Sequence, residues 1–159
     1  MDNYAEETAP LFKLLRTPAF RFIIVCYNHY DLLRRLEQDL RQRFPDRPFQ
    51  KTDAEKATYR QISDAYQALG SGFFWLENFN YVLREERNSL GQETEEMAER
   101  NERSRHITAG LNLRRDRLAQ LPIALFVFVP TSSGELFART IMEKMPDLWS
   151  FRSMILDLR

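Results

Sequence analysis

Three short runs constrain this chain most. Phe20-Arg21-Phe22-Ile23-Ile24-Val25-Cys26-Tyr27, Phe73-Phe74-Trp75-Leu76-Glu77 and Ile123-Ala124-Leu125-Phe126-Val127-Phe128-Val129 are β-branched and aromatic almost throughout. A strand with one wet face alternates apolar and polar residues. These runs do not, so each reads as a strand buried on both faces, as in a parallel sheet. Parallel neighbours need crossover connections, usually helical and right-handed.

The intervening segments supply such helices. Residues 4–16 form a short amphipathic helix with Leu11, Leu14 and Leu15 inward, ended by Pro18. Leu32, Leu36, Leu40 and Phe44 make a stripe for a helix from Leu32 to about Arg43, with Asp31 as its N-cap. Phe49-Gln50-Lys51 reads as a short edge strand. Thr52 with Glu55 fits a capping box that starts the next helix, which carries Tyr59, Ile62, Tyr66 and Leu69 and ends at Gly70 and Gly72. Residues 79–103 show no clear apolar stripe and are split by Gly91; a helix is expected from about Ser104 to Leu121, stopped by Pro122. Ser133 is placed to cap a helix from Gly134 to Met145, and Met154–Leu158 reads as a last strand. The expected fold is a three-layer α/β/α sandwich with a mostly parallel sheet of four to five strands, in one domain spanning 1–159.

Composition narrows the function. The 23 basic and 23 acidic residues cancel, which disfavours binding to nucleic acid or an acidic membrane through overall charge. Residues 84–117 hold eight arginines and eight acids and read as a solvated helical face laced with ion pairs. A hydrophobic content of 43% is enough for a substantial core. The apolar runs are far too short to cross a bilayer, the N-terminus lacks a signal-peptide pattern, and the single Cys26 excludes an internal disulfide, so a cytoplasmic protein is expected.

In open α/β sheets ligands sit beyond the carboxyl ends of the strands. After the first strand comes Asn28-His29-Tyr30-Asp31-Leu32-Leu33-Arg34, with no glycine, no lysine and no hydroxyl placed for a phosphate loop. The dinucleotide glycine pattern is absent too, and five glycines in the whole chain (70, 72, 91, 110, 134) leave no glycine-rich cradle anywhere. No nucleotide cofactor is therefore expected. An alternative site at the strand ends is Asn28, His29, Asp31 and Glu77, whose acids and imidazole could serve a divalent metal or acid–base chemistry. The blander reading has Asp31 capping a helix, His29 in a loop and Glu77 paired with an arginine. Buried Cys26 reads as a small hydrophobe, His106 has no evident partner, and Ser132-Ser133-Gly134 reads as a helix cap without a basic neighbour. The arginines of Arg114-Arg115-Asp116-Arg117 fan around their helix and form no nucleic-acid stripe.

Three segments carry a resemblance: Leu111-Asn112-Leu113-Arg114-Arg115-Asp116-Arg117-Leu118, the strand Ile123 to Pro130, and Met145-Pro146-Asp147-Leu148-Trp149-Ser150-Phe151-Arg152-Ser153. This series resembles a degenerate STAND-NTPase-like domain of multidomain bacterial signalling and antiphage defence proteins, often placed ahead of helical repeats. The resemblance implies a P-loop-NTPase-like strand order. It puts Phe20–Tyr27 in the Walker A strand, Phe73–Glu77 in the Walker B strand with Glu77 at the acidic position, and Ile123–Val129 in the sensor strand. It also implies that hydrolysis is lost with the missing glycine-lysine loop. The bland account of the last segment is that Pro146 and Asp147 stop a helix, Trp149 plugs its end and Arg152 pairs with an acid.

The expected function is therefore a non-catalytic regulatory or protein-interaction module. Its partner would be another protein or another domain of its own chain, such as helical repeats, with the chain expected to be the N-terminal part of something longer. Residues 79–105 and the exposed arginines Arg84, Arg87, Arg100, Arg103, Arg105, Arg114, Arg115 and Arg117 form the expected interaction surface. The alternatives are an unconventional nucleotide- or metal-dependent enzyme using the strand-end residues, and a nucleic-acid-binding module.

Overall fold

A computed structural model describes residues 2–130 and 134–159. The order of elements is α1 (Tyr4–Leu14), β1 (Arg21–Tyr27), α2 (Tyr30–Arg43), β2 (Phe49–Asp53), α3 (Tyr59–Leu69), β3 (Gly72–Glu77), α4 (Asn80–Leu83), α5 (Glu95–Leu113), α6 (Arg115–Leu118), β4 (Ile123–Pro130), α7 (Gly134–Lys144), α8 (Pro146–Trp149) and β5 (Arg152–Leu158). The five strands form one sheet in the order β2-β3-β4-β1-β5, and every pairing is parallel. This is the three-layer sandwich with P-loop-NTPase-like order that the alternation of runs and the resemblance led us to expect.

The order decides which helix lies on which face. From β1 the chain travels one way along the sheet to β2; from β2 through β3 and β4 to β5 it travels the other way. Right-handed crossovers therefore put α2 on one face and α3, α5 and α7 on the other. Side-chain alternation agrees. Ile23, Val25, Phe73, Trp75, Phe126 and Phe128 pack with α1 and α2, while Phe22, Ile24, Phe74, Leu76, Leu125 and Val127 pack against the opposite helices. The three unbroken apolar runs are the three inner strands β1, β3 and β4, which have no wet face to spare for polar residues. On the α2 side the core is a series of rings, with Trp75 at 4.5 Å from Phe128 and 4.9 Å from Phe49 between centroids.

At its carboxyl end the outer edge of β5 is covered by the start of the chain. Glu7 Oε1 accepts the Asp157 backbone N–H at 3.0 Å and Asn3 Oδ1 accepts that of Arg159 at 2.9 Å, so edge groups that could template aggregation are satisfied internally. Among the described residues no helix is long and apolar enough to cross a membrane.

Several local expectations are corrected. Asp31 is not the N-cap of α2: His29 holds that position without a side-chain cap bond, and Asp31 lies in the first helical turn, where its charge suits the helix dipole. β2 runs on through Thr52 and Asp53, because these residues pair with Leu76 and Glu77 in the sheet. The capping box falls six residues later: Thr58 Oγ1 accepts from Gln61 N–H at 3.2 Å and Gln61 Oε1 accepts from Thr58 N–H at 2.9 Å. The helix expected from Ser104 begins at Glu95, capped by Thr94, and breaks at Arg114. The expected cap Ser133 lies outside the described residues, as do Thr131 and Ser132.

Candidate functional site

Strands β1 and β4 are neighbours whose onward helices lie on opposite faces of the sheet. A crevice at the carboxyl end of such a pair is where an open α/β sheet usually binds its ligand. On the β1 side that position is built from very little. β1 ends at Tyr27 and α2 begins at Tyr30, so only Asn28 and His29 connect them. Asn28 N–H donates to the Leu158 carbonyl at 3.2 Å, and Asn28 and His29 are both exposed. Two residues cannot wrap a phosphate, and the first turn of α2 already carries the carboxylate of Asp31.

The four strand-end candidates do not share partners. The Asp31 side chain is 89% exposed and lies 3.8 Å from Arg34 on its own helix. Glu77 instead joins a cluster on the α2 face. Lys51 of β2 bonds Glu37 of α2 and lies 3.9 Å from Glu77, and Asp53 stands opposite Glu77 in the ladder. Burial raises the Glu77 carboxyl above the usual carboxylate range; Lys51 opposes this, while Glu37 and Asp53 add to it. Burial also acts to raise Glu37, but its hydrogen bonds to Lys51 and Arg41 outweigh it and hold the group low. Tyr27 is raised by burial and by neighbouring Tyr30, Glu77 and Tyr81. The ammonium of Lys51 thus supplies the positive charge that these carboxylates face. Among the described residues no group of three or more His, Cys, Asp or Glu is arranged to hold a metal ion.

Asn78 turns the chain out of β3. It adopts a left-handed conformation, φ +58°, which asparagine tolerates better than most residues, and donates from Nδ2 to Asp53 Oδ1 at 3.0 Å. The Phe79 N–H then donates to the Phe128 carbonyl at 3.2 Å, seating α4 over the end of β4. Burial, then Asp157, raises the thiol of Cys26 to about 11, so it is not a thiolate at neutral pH. His106 is exposed and lies 3.9 Å from Glu102 one turn earlier.

The arginine-rich surface is more structured than a solvated face. The stripe of buried residues on α5 is Asn101, Ser104, Ile107, Thr108 and Leu111, so its first half is polar. Asn101, 1% exposed, is its hub: Oδ1 accepts the Glu86 N–H at 2.7 Å, and Nδ2 donates to the Glu86 carbonyl at 3.0 Å and to Glu93 Oε1 at 2.8 Å. The eight arginines divide accordingly. Arg87 and Arg105 pair with Glu85 and Glu93, Arg100 with Glu86, and Arg115 with Asp147. Arg84 lies over the Tyr81 ring at 5.5 Å, and Arg103 donates to the Glu55 backbone carbonyl. Arg114 caps the end of α5 and Arg117 sits on α6, both exposed.

The first and last of the three segments behind the family resemblance meet in space. Asn112 Oδ1 accepts the backbone N–H groups of Asp147 and Leu148 at 2.8 and 3.1 Å, capping α8 from another helix. Its Nδ2 donates to Asp147 Oδ2 at 3.3 Å, and Arg115 lies 3.5 Å from the same oxygen. Arg152 stacks over the Trp149 ring at 4.2 Å and donates to the Trp149 carbonyl; among the described residues it pairs with no acid.

Sequence reasoning missed Glu37, Lys51 and Asp53. The available signal was weak: Lys51 is one of four lysines and lies on a strand whose partner, β3, ends in Glu77. Comparison of the chain with protein-family models, with curated proteins and with solved structures finds no match.

Proposed function

We propose that this chain is a non-catalytic regulatory or protein-interaction module, a degenerate STAND-NTPase-like domain that keeps the parallel sheet and has shed the phosphate loop. The observation that carries the reading is the two-residue connection from Tyr27 to Tyr30. A phosphate-binding loop needs several backbone N–H groups wrapped around the anion and a lysine to reach it. Here the helix starts almost at the strand end, with bulky tyrosines on either side and an acid in its first turn. The pairing of Glu77 with Lys51 supports the same reading, because the acid that would otherwise serve a metal already has a cation. An enzyme built on Asn28, His29, Asp31 and Glu77 would need those groups to converge, and Asp31 and Glu77 have separate partners. A nucleic-acid module would need unpaired arginines in a row, and half of the eight are spent on the chain's own acids.

The test is calorimetric titration with ATP and GTP, with and without Mg²⁺. The expected result is no heat and no thermal stabilisation. Binding at micromolar strength or tighter would overturn the reading.

A further inference from the structure

Not all of the arginines are spent: among the described residues Arg84 and Arg103 have no acidic partner, and together they give one cavity a ligand chemistry. We propose that the pocket enclosed by the β2–α3 loop, α4 and α5 binds an oxyanion, and that its natural occupant is the carboxylate of an acidic segment on a protein partner. The inference rests on the interaction-module reading given above and names the chemistry of that partner.

The pocket holds about 230 Å³ and is lined in part by Tyr81, Arg84, Arg100, Arg103 and Ser104. Ligand sites for drug-sized molecules and cofactors start at roughly 300 Å³, so the volume suits a single carboxylate-bearing side chain better than a whole nucleotide. Its position is beyond the carboxyl ends of β2 and β3, beside the loops that follow them. The walls are held in place: Asn101 ties the chain at Glu86 to α5 with part-buried hydrogen bonds, and Ser104 is 8% exposed.

Charge gives the preference. Arg100 is neutralised by Glu86. Among the described residues neither Arg84 nor Arg103 meets a carboxylate; the first lies over Tyr81 and the second donates to the Glu55 main-chain carbonyl. A guanidinium stays charged at any working pH and presents planar donors that match an oxyanion. Arg103 is aimed by its bond to the β2–α3 loop, so less freedom is lost when it engages a ligand. The opposing element is Glu55, whose carboxylate belongs to a residue of the same lining. It limits affinity for any anion and gives the test a change of opposite sign.

The experiment titrates the full chain with a short Glu/Asp-rich peptide, with the same peptide carrying Gln/Asn instead, and with inorganic phosphate. Binding is followed through the side-chain N–H resonances of the arginines. The acidic peptide is expected to shift Arg84 and Arg103, and the neutral peptide to shift neither. Charge-assisted hydrogen bonds of this kind correspond to about tenfold in affinity, so Arg84→Gln and Arg103→Gln should each weaken binding by that factor. Arg103→Lys should weaken it less, Glu55→Gln should strengthen it several-fold, and Arg117→Gln should leave it unchanged. Thermal unfolding of each variant separates a lost ligand contact from a lost fold. Peptide binding that ignores Arg84→Gln and Arg103→Gln, or phosphate binding as tight as the peptide, would overturn the proposal; the latter would make a free oxyanion the ligand. No binding of acidic peptide together with no binding of nucleotide would refute the pocket alone, whereas nucleotide binding would refute the module reading beneath it.

Discussion

Replacing Asn112 by alanine tests how the segments behind the family resemblance act on the fold. The side-chain carbonyl of Asn112 accepts two backbone N–H groups at the start of α8, at 2.8 and 3.1 Å, in the manner of an N-cap supplied by another helix. Loss of such a cap costs about 0.5–2 kcal/mol, and the third bond, from Nδ2 to Asp147, is exposed and adds little. α8 has four residues and cannot hold its shape alone, but it seats Leu148, which is fully buried. We expect Asn112→Ala to cost about 1–2 kcal/mol, which for a chain of this size lowers the unfolding midpoint by about 3–6 °C. Asn112→Asp is the informative partner. It keeps an acceptor for both N–H groups but sets a carboxylate against Asp147, with Arg115 at 3.5 Å left to serve both acids. Its cost should fall between wild type and alanine and should shrink as the pH is lowered through the carboxylate range. Chemical denaturation at pH 7 and pH 4 reads all three proteins. An alanine variant within about 0.3 kcal/mol of wild type would refute the cap as the reason for an asparagine here.

Other perturbations have equally definite signs. Gly72 has φ +104°, and a Cβ placed there would lie 2.2 Å from the Pro48 carbonyl oxygen, which also accepts the Phe73 N–H. Because backbone must move and a ladder bond is strained, Gly72→Ala should cost about 3–5 kcal/mol, measured by denaturant unfolding; a cost under 1 kcal/mol would contradict the packing of β3 on the Pro48 turn. Lys51→Met removes the ammonium from Glu37 and Glu77. Glu37 has a depressed pKa, so its stabilisation is present above its unfolded value and is lost as pH falls through the folded one; the hydrogen bond that Lys51 donates to Glu37 raises Lys51, so that contribution is present below its unfolded value and lost as pH rises through the folded one. The variant should therefore be weaker than wild type by about 0.5–1 kcal/mol at pH 7, with the gap narrowing at both acid and alkaline ends. A gap that is constant with pH would show that the lysine acts through the packing of its side chain and not through its charge.

What could be read from the sequence followed the amount of burial. β1, β3 and β4 were legible because a strand covered on both faces must be apolar at every position, and only those three are so covered. β2 is an edge strand with exposed Gln50 and Lys51, and its end was ambiguous because Thr52 and Thr58 each stand three residues before a Glu or Gln. Both fit a capping box; the ladder to Leu76 and Glu77 selected the second. The first half of α5 was illegible for a different reason. Its buried stripe is helical in spacing but begins with Asn101 and Ser104, so a search for apolar periodicity sees only charge. That polar stripe is also what shapes the pocket holding Arg84 and Arg103, because Asn101 binds the chain at Glu86 through main-chain groups that an apolar residue could not satisfy. The Lys51 cluster draws on α2, β2 and β3 and has no spacing to find. Interaction surfaces made of polar residues held by other polar residues leave little mark on hydropathy. In a chain with zero net charge, the informative quantity is which charges remain after the internal pairs are removed.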